Sequence, residues 1–215
     1  VVSLWLLLSL GSYWGCKTEA VNNLPTVEGQ TIDPIHDPRI PGLAYQFKRA
    51  VRAEVNYHWG LEQPGTVFYS QIHQESSWKP DAQSKYASGL AQFTPDTAKW
   101  ISSLYPADLG ENKPLDARWA IRACVKYDLW LYVRSLPAYD DDNRWRFTLS
   151  GYNGGKGWVD RDRVLATQNG KRSDKWICNV EHYSNRAAWA IKENRDYVTK
   201  ILDRWFSMYE KAGFI

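Results

Sequence analysis

One glutamate stands where a carboxylate would lose its hydration. Val67 and Phe68 open an apolar helical stripe, Ile72 follows Phe68 at a spacing of four, and Glu75 follows Ile72 at a spacing of three, so the acid continues the stripe. Desolvation favours the protonated form of such a group. A carboxyl that keeps its proton near neutrality is what general acid catalysis requires. Glycosidic cleavage is the clearest case, because the leaving oxygen must gain a proton as an oxocarbenium-like centre develops. The polar turn Ser76-Ser77-Trp78-Lys79-Pro80 comes next, then the small-residue segment Ala87-Ser88-Gly89-Leu90-Ala91-Gln92-Phe93-Thr94-Pro95. That order suits a buried acid facing a sugar-binding groove. On this spacing alone the opposite reading of Glu75 is the stronger, since a glutamate at a helix end is more often solvated than catalytic.

The elements that must position this segment read as helices. Phe47, Ala50, Val51 and Val55 share one face of a helix beginning near Leu43, and Pro64 opens the helix that carries Glu75. A third starts at Pro95 with Thr94 as its cap. The longest is expected from Leu115 to Leu136, apolar on more than one face and therefore central. Arg144 to Leu149 leads into an expected loop, Gly151-Tyr152-Asn153-Gly154-Gly155-Lys156-Gly157, and a final helix covers Arg186 to Lys211. Asp140-Asp141-Asp142 reads as a solvated loop. Asp162, Arg163, Lys171, Arg172 and Trp176 read as decoration of a groove or a partner surface. No alternating strand pattern occurs, so the fold class is mainly α.

Taken in order, these motifs resemble the soluble lytic transglycosylase type of the lysozyme-like superfamily. In that pattern the catalytic glutamate is followed by serine, an aromatic residue, proline and alanine-x-serine, matched by Glu75, Ser76, Trp78, Pro80, Ala82 and Ser84. A Gly-Leu-(Met or Ala)-Gln segment leading to Pro-x-Thr-Ala is matched by Gly89-Leu90-Ala91-Gln92 and Pro95-Asp96-Thr97-Ala98. The segment from Ser84 to Gly89 is one residue shorter than the commonest form. The Ala-Tyr-Asn-Ala-Gly motif reads Gly151-Tyr152-Asn153-Gly154-Gly155, and Glu-Thr-Arg-x-Tyr-Val reads Glu193-Asn194-Arg195-Asp196-Tyr197-Val198. The matches span about residues 65 to 202.

The resemblance implies a lysozyme-like helical domain with a substrate groove that cleaves the β-1,4 bond of peptidoglycan glycan strands. Glu75 would serve alone as acid and then base, giving a 1,6-anhydro sugar, with no cofactor and no metal. Ser76, Ser84, Gln92, Tyr152, Asn153 and Glu193 would line or bind the sugar site, with Tyr152 hydrogen-bonded to Glu75. Four of them have a bland alternative: Tyr152 and Asn153 as a turn beside glycines, Gln92 as a support for loop backbone, and Glu193 as a surface partner of Arg195 or Lys192. Two other readings stay open. One is a muramidase or goose-type hydrolase, in which a further carboxylate positions water. The other is a wall-binding module without turnover.

Composition agrees with one exported domain. The chain has 215 residues, 44% hydrophobic, enough for a single core. Its net charge of +3 is spread among acids, which gives nucleic-acid binding no support while leaving mild attraction to an acidic wall polymer. Residues 1–16 carry no charge and include Leu4-Trp5-Leu6-Leu7-Leu8, too short for the roughly 20 residues of a spanning helix and placed as an export signal would be. Gly15-Cys16 resembles a lipoprotein processing site; an ordinary cleaved signal or an uncleaved anchor is the alternative. Residues 17–42, with Pro25, Pro34, Pro38 and Pro41, read as an extended tether, leaving 43–215 as the catalytic domain in the periplasm or cell envelope, attached to the membrane where Cys16 is lipidated. In an oxidising compartment Cys124 and Cys178 are the remaining candidates for a disulfide, with two free thiols as the alternative. His36, His58, His73 and His182 are scattered, without a metal-ligand spacing.

Overall fold

The structure is a computed structural model that describes residues 36–215. The export segment 1–16, Cys16 and the tether up to residue 35 lie outside the described residues. Ile40 is already buried, His36 stacks on Tyr45, and the first helix begins two residues beyond Ile40. Helix α1 (Gly42–Trp59) ends at Gly60, whose φ of 91° is one that glycine adopts without steric cost. Helix α2 (Thr66–Ser76) carries Glu75. Then come α3 (Pro95–Leu104), α4 (Pro106–Leu109), α5 (Ala117–Val133), α6 (Asp141–Gly154) and α7 (Lys156–Gln168). The C-terminal rod consists of α8 (Ala188–Thr199), a π-helical segment (Lys200–Trp205) and α9 (Phe206–Lys211).

The caps explain the boundaries. Thr94 Oγ1 accepts from the Thr97 amide at 3.2 Å, and Pro95 fills the first helical position of α3. Asp116 caps α5 through the Trp119 amide at 2.9 Å, and Asp140 caps α6 through the Asn143 amide at 2.8 Å. The aspartate run at 140–142 is therefore a helix cap and first turn, correcting the expected solvated loop. The 151–157 segment is also not a loop: α6 runs through Gly151, Tyr152 and Asn153, and α7 starts at Lys156. At 17 residues, α5 is one residue shorter than α1.

The core is built around α2, on which every residue from Thr66 to His73 is buried. Phe68 packs with Trp59 and Trp145 on one side, and Tyr69 with Trp78, Tyr209 and Phe214 on the other. Trp176 belongs to the core against Phe147, Asp162 is 1% exposed, and Arg163 donates to the carbonyls of Ser173 and Ser135 at 2.7 and 3.1 Å. Lys171 and Arg172 are exposed, Arg172 paired with Asp174. None of these five lines the groove, which corrects the expected surface role of the buried three. Among the described residues there is no strand; isolated bridges from Ser88 to Gln83 and Phe93 pin the segment after α2. No described helix is long and apolar enough to cross a membrane.

Candidate active site

The C-terminal end of α2 meets a groove of about 1050 Å³ whose lining includes Gln74, Glu75, Gln92, Tyr152, Glu193 and Tyr197. The helix stops there abruptly. Ser77 and Trp78 both take positive φ, 50° and 67°, which is rare for a side chain as large as tryptophan. Trp78 holds this turn by being fully buried and donating its indole N–H to the Tyr209 hydroxyl at 2.6 Å. Glu75, like Gln74 before it, is left partly exposed at the end of a helix whose other residues are buried.

The Glu75 carboxylate accepts a 2.6 Å hydrogen bond from the Tyr197 hydroxyl. Burial raises its pKa to about 8; Tyr197 opposes the shift and the negative charge of Glu193 adds to it. Desolvation wins, so Glu75 holds a proton at neutral pH while its conjugate base remains strong. The expected contact from Tyr152 is corrected: its hydroxyl donates to the Ala91 carbonyl at 2.9 Å, so Tyr152 fixes the 87–95 segment while Tyr197 engages the acid. Tyr197 lies one helical turn from Glu193 on α8, and that i, i+4 spacing was the available signal.

The other expected residues divide between lining and framework. Ser84, Gln92, Tyr152, Asn153 and Glu193 line the groove with Glu75. Ser76 does not: it is buried and donates to the Leu90 carbonyl at 2.7 Å, tying α2 to the loop. Ser84 Oγ accepts from the Ala87 amide at 3.0 Å. Gln92, at φ 46°, donates to the carbonyls of Gly89 and Ala82 at 2.9 and 3.2 Å, so its amide N–H group is spent on the loop even though the side chain lines the groove. Asn153 Oδ1 accepts from Asn194 Nδ2 at 2.9 Å.

A buried polar joint ties α6 and α7 to α8 behind that contact. Asn194 also accepts from Ser150 Oγ at 2.7 Å, and Asp162 takes Arg186 and Arg195 on the same carboxylate oxygen at 2.5 and 2.9 Å. Both glycines that replace alanine in the tyrosine motif fit their surroundings. A Cβ on Gly154 would lie 2.4 Å from Arg186 Nη1 and 2.9 Å from Asn194 Nδ2, and one on Gly151 would lie 3.1 Å from Leu131 Cδ2. Asparagine in place of threonine at 194 and glycine in place of alanine at 154 thus share one small volume.

One buried acid carries no sequence expectation. Asp128 on α5 is fully buried, accepts from Gln71 Nε2 at 3.3 Å, and has its pKa pushed well up by burial. Its neighbour Cys124 is buried and free, while Cys178 is exposed and free, so the expected disulfide is corrected to two unpaired thiols. Cys178, Glu181 and His182 bring donor atoms within 4.8 Å of one another on the surface, a juxtaposition that the scattered histidines did not suggest; none of the three lines the groove.

A mainly helical fold with one desolvated, tyrosine-bonded glutamate in the lining of its groove is the arrangement of a lysozyme-like domain. Residues 57–176, more than half of the chain, match the Transglycosylase SLT domain, and the chain belongs to that family. It is 31% identical over 106 residues to the membrane-bound lytic murein transglycosylase F of Pseudomonas syringae pv. syringae, covering 49% of this chain and 20% of that protein. The protein of the same name from Alcanivorax borkumensis is 28% identical over 141 residues, 65% of this chain and 27% of its own length. Among solved structures, the 70 kDa soluble lytic transglycosylase of Escherichia coli superposes with a TM-score of 0.52 at 25% identity, over 82% of this chain and 26% of that one. The chain thus spans about a fifth to a quarter of the relatives it matches, and the mainly α lysozyme-like fold is borne out.

Proposed function

We propose that the protein is a peptidoglycan lytic transglycosylase in which Glu75 is the only acid and base. Protonated Glu75 gives its proton to the oxygen linking muramic acid to the next sugar as the C1–O bond breaks. The resulting carboxylate removes the proton of the muramic C6 hydroxyl, whose oxygen closes on C1 to form the 1,6-anhydro ring. Glu75 recovers its proton and no water is consumed. A pKa of about 8 suits both halves, because the acid is loaded at neutrality and the base is strong enough to take a hydroxyl proton during bond formation. That shifted, groove-facing carboxyl is the observation that carries the reading. Tyr197 orients it, Tyr152 and Gln92 hold the segment around it, and no cofactor enters.

The relatives named membrane-bound murein transglycosylases favour an exported enzyme acting in the cell envelope, and lipid attachment at Cys16 is part of this proposal. One observation favours a hydrolase instead: Glu193 lies near enough to Glu75 to raise its pKa, and a second carboxylate is what a hydrolase uses to position water or stabilise the oxocarbenium. Mass spectrometry of muropeptides released from purified sacculi decides. Anhydro-muramyl ends absent with Glu75→Gln are expected. Reducing ends would move the assignment to a muramidase, and binding without release to a wall-binding module.

A further inference from the structure

Most described tryptophans are buried or half-buried; only Trp100, at 38% exposure, and Trp189, at 71%, are exposed, and of these two Trp189 lines the groove. It sits in the first turn of α8, which orders the groove face of that helix: Trp189, Glu193 and Tyr197 recur every fourth residue, all three in the lining. Tyr197 is bonded to the reacting carboxyl. Eight residues of helix place Trp189 about 12 Å from Tyr197 along the axis, too far to touch the bond being broken. Single exposed apolar side chains are ordinary on protein surfaces. Trp189 differs in being continuous with a groove to which Trp158 and the 67%-exposed Tyr86 also contribute.

We propose that Trp189 is the stacking platform of an outer sugar subsite, so that the groove grips a glycan strand beyond the two sugars it separates. An indole presents a flat apolar face, and a β-1,4-linked pyranose presents a matching face of C–H groups. Of the charges beside it on α8, Lys192 is paired with Asp196. The inference rests on the transglycosylase reading for its ligand and adds to it a dependence on strand length.

The test uses the full chain and peptide-free glycan strands of graded length. Trp189→Ala is expected to lower kcat/KM on long strands by about tenfold more than on the shortest strand cleaved, roughly the worth of one stacked aromatic, through KM and not kcat, with Trp189→Phe recovering most of it. An equal loss at every length would make Trp189 structural and overturn the proposal. So would a penalty seen only on peptide-bearing sacculi, which would make it a stem-peptide contact. Should the wild-type chain cleave none of these strands, the reading of its activity fails separately. Titration of the same strands against Trp189→Ala in the Glu75→Gln background still decides the subsite.

Discussion

At Glu75 a single desolvated proton is tied both to chemistry and to stability. Replacing the acid with its amide keeps shape and removes the transferable proton, so Glu75→Gln should lose about 10²–10⁴-fold in turnover. The folded chain holds this proton up to about pH 8, whereas an unburied glutamate releases it near 4.5, so between those values the folded state binds the extra proton and stability falls as pH rises. The stabilising contribution is complete below pH 4.5 and gone above about pH 8. Glutamine carries no such penalty. Melting curves should therefore show Glu75→Gln gaining over wild type at pH 9 and not at pH 4, by about 2–4 °C for each ~1 kcal/mol of the penalty removed. Equal melting temperatures at pH 9 would mean that Glu75 is hydrated. Tyr197→Phe tests the other side of the pair. Loss of a hydrogen bond to the charged form raises the Glu75 pKa further, which moves the basic limb of the pH–rate profile upward, and loss of orientation should cost about 10–100-fold in kcat. A profile left in place would separate Tyr197 from the acid.

Helices were legible in this sequence where apolar spacing and caps coincide, as at Thr94-Pro95, and the acid's segment was legible because Glu75, Ser76, Trp78 and Pro80 stand in the order of a family pattern, the apolar stripe alone favouring a solvated glutamate. What stayed hidden depends on contacts remote in sequence. Glycines at 151, 154, 155 and 157 read as a loop, yet Gly151 and Gly154 lie inside α6, where Arg186 and Asn194 crowd the place of a side chain at 154 and Leu131 lies close to that at 151. The hydroxyl that reaches Glu75 could be chosen only once α8 had a place. The π-helical segment Lys200–Trp205 was equally invisible, since it is a local change of register; it starts three residues after Tyr197 and ends at Trp205, whose indole donates to Gln74 at 2.9 Å. The α6–α8 joint makes its own prediction. Gly154→Ala should destabilise the chain by about 1–3 kcal/mol through overpacking, and Asn194→Thr in the same molecule should return part of that loss, a coupling measurable by a double-mutant cycle in urea. Strict additivity would show that residues 154 and 194 do not share the volume.

Across the molecule, distant parts of the chain are joined through one aromatic cluster under the acid's helix. Phe214 is fully buried against Tyr45 of α1, Tyr69 of α2 and Tyr209 of α9, and its carbonyl accepts from Thr66 Oγ1 at 2.8 Å. Tyr209 in turn receives the Trp78 indole N–H and contacts His73 Nδ1 at 2.8 Å, so the cluster bears on both the strained turn after Glu75 and the helix before it. Burial holds the pKa of His73 down at about 4, which keeps this interior uncharged at neutral pH. Sequence patterning shows that aromatic residues are plentiful but not that residue 214 is the piece they close upon. Phe214→Ala should therefore cost about 3–5 kcal/mol, or roughly 6–20 °C in Tm at about 2–4 °C per kcal/mol. Activity measured well below the new Tm should fall too, because the turn at Ser77-Trp78 that aims Glu75 is held through Tyr209. A large fall in Tm with unchanged kcat in the cold would show that α2 keeps its end without the cluster, and that the geometry of the acid is set by the Ser76–Leu90 and Tyr197 contacts alone.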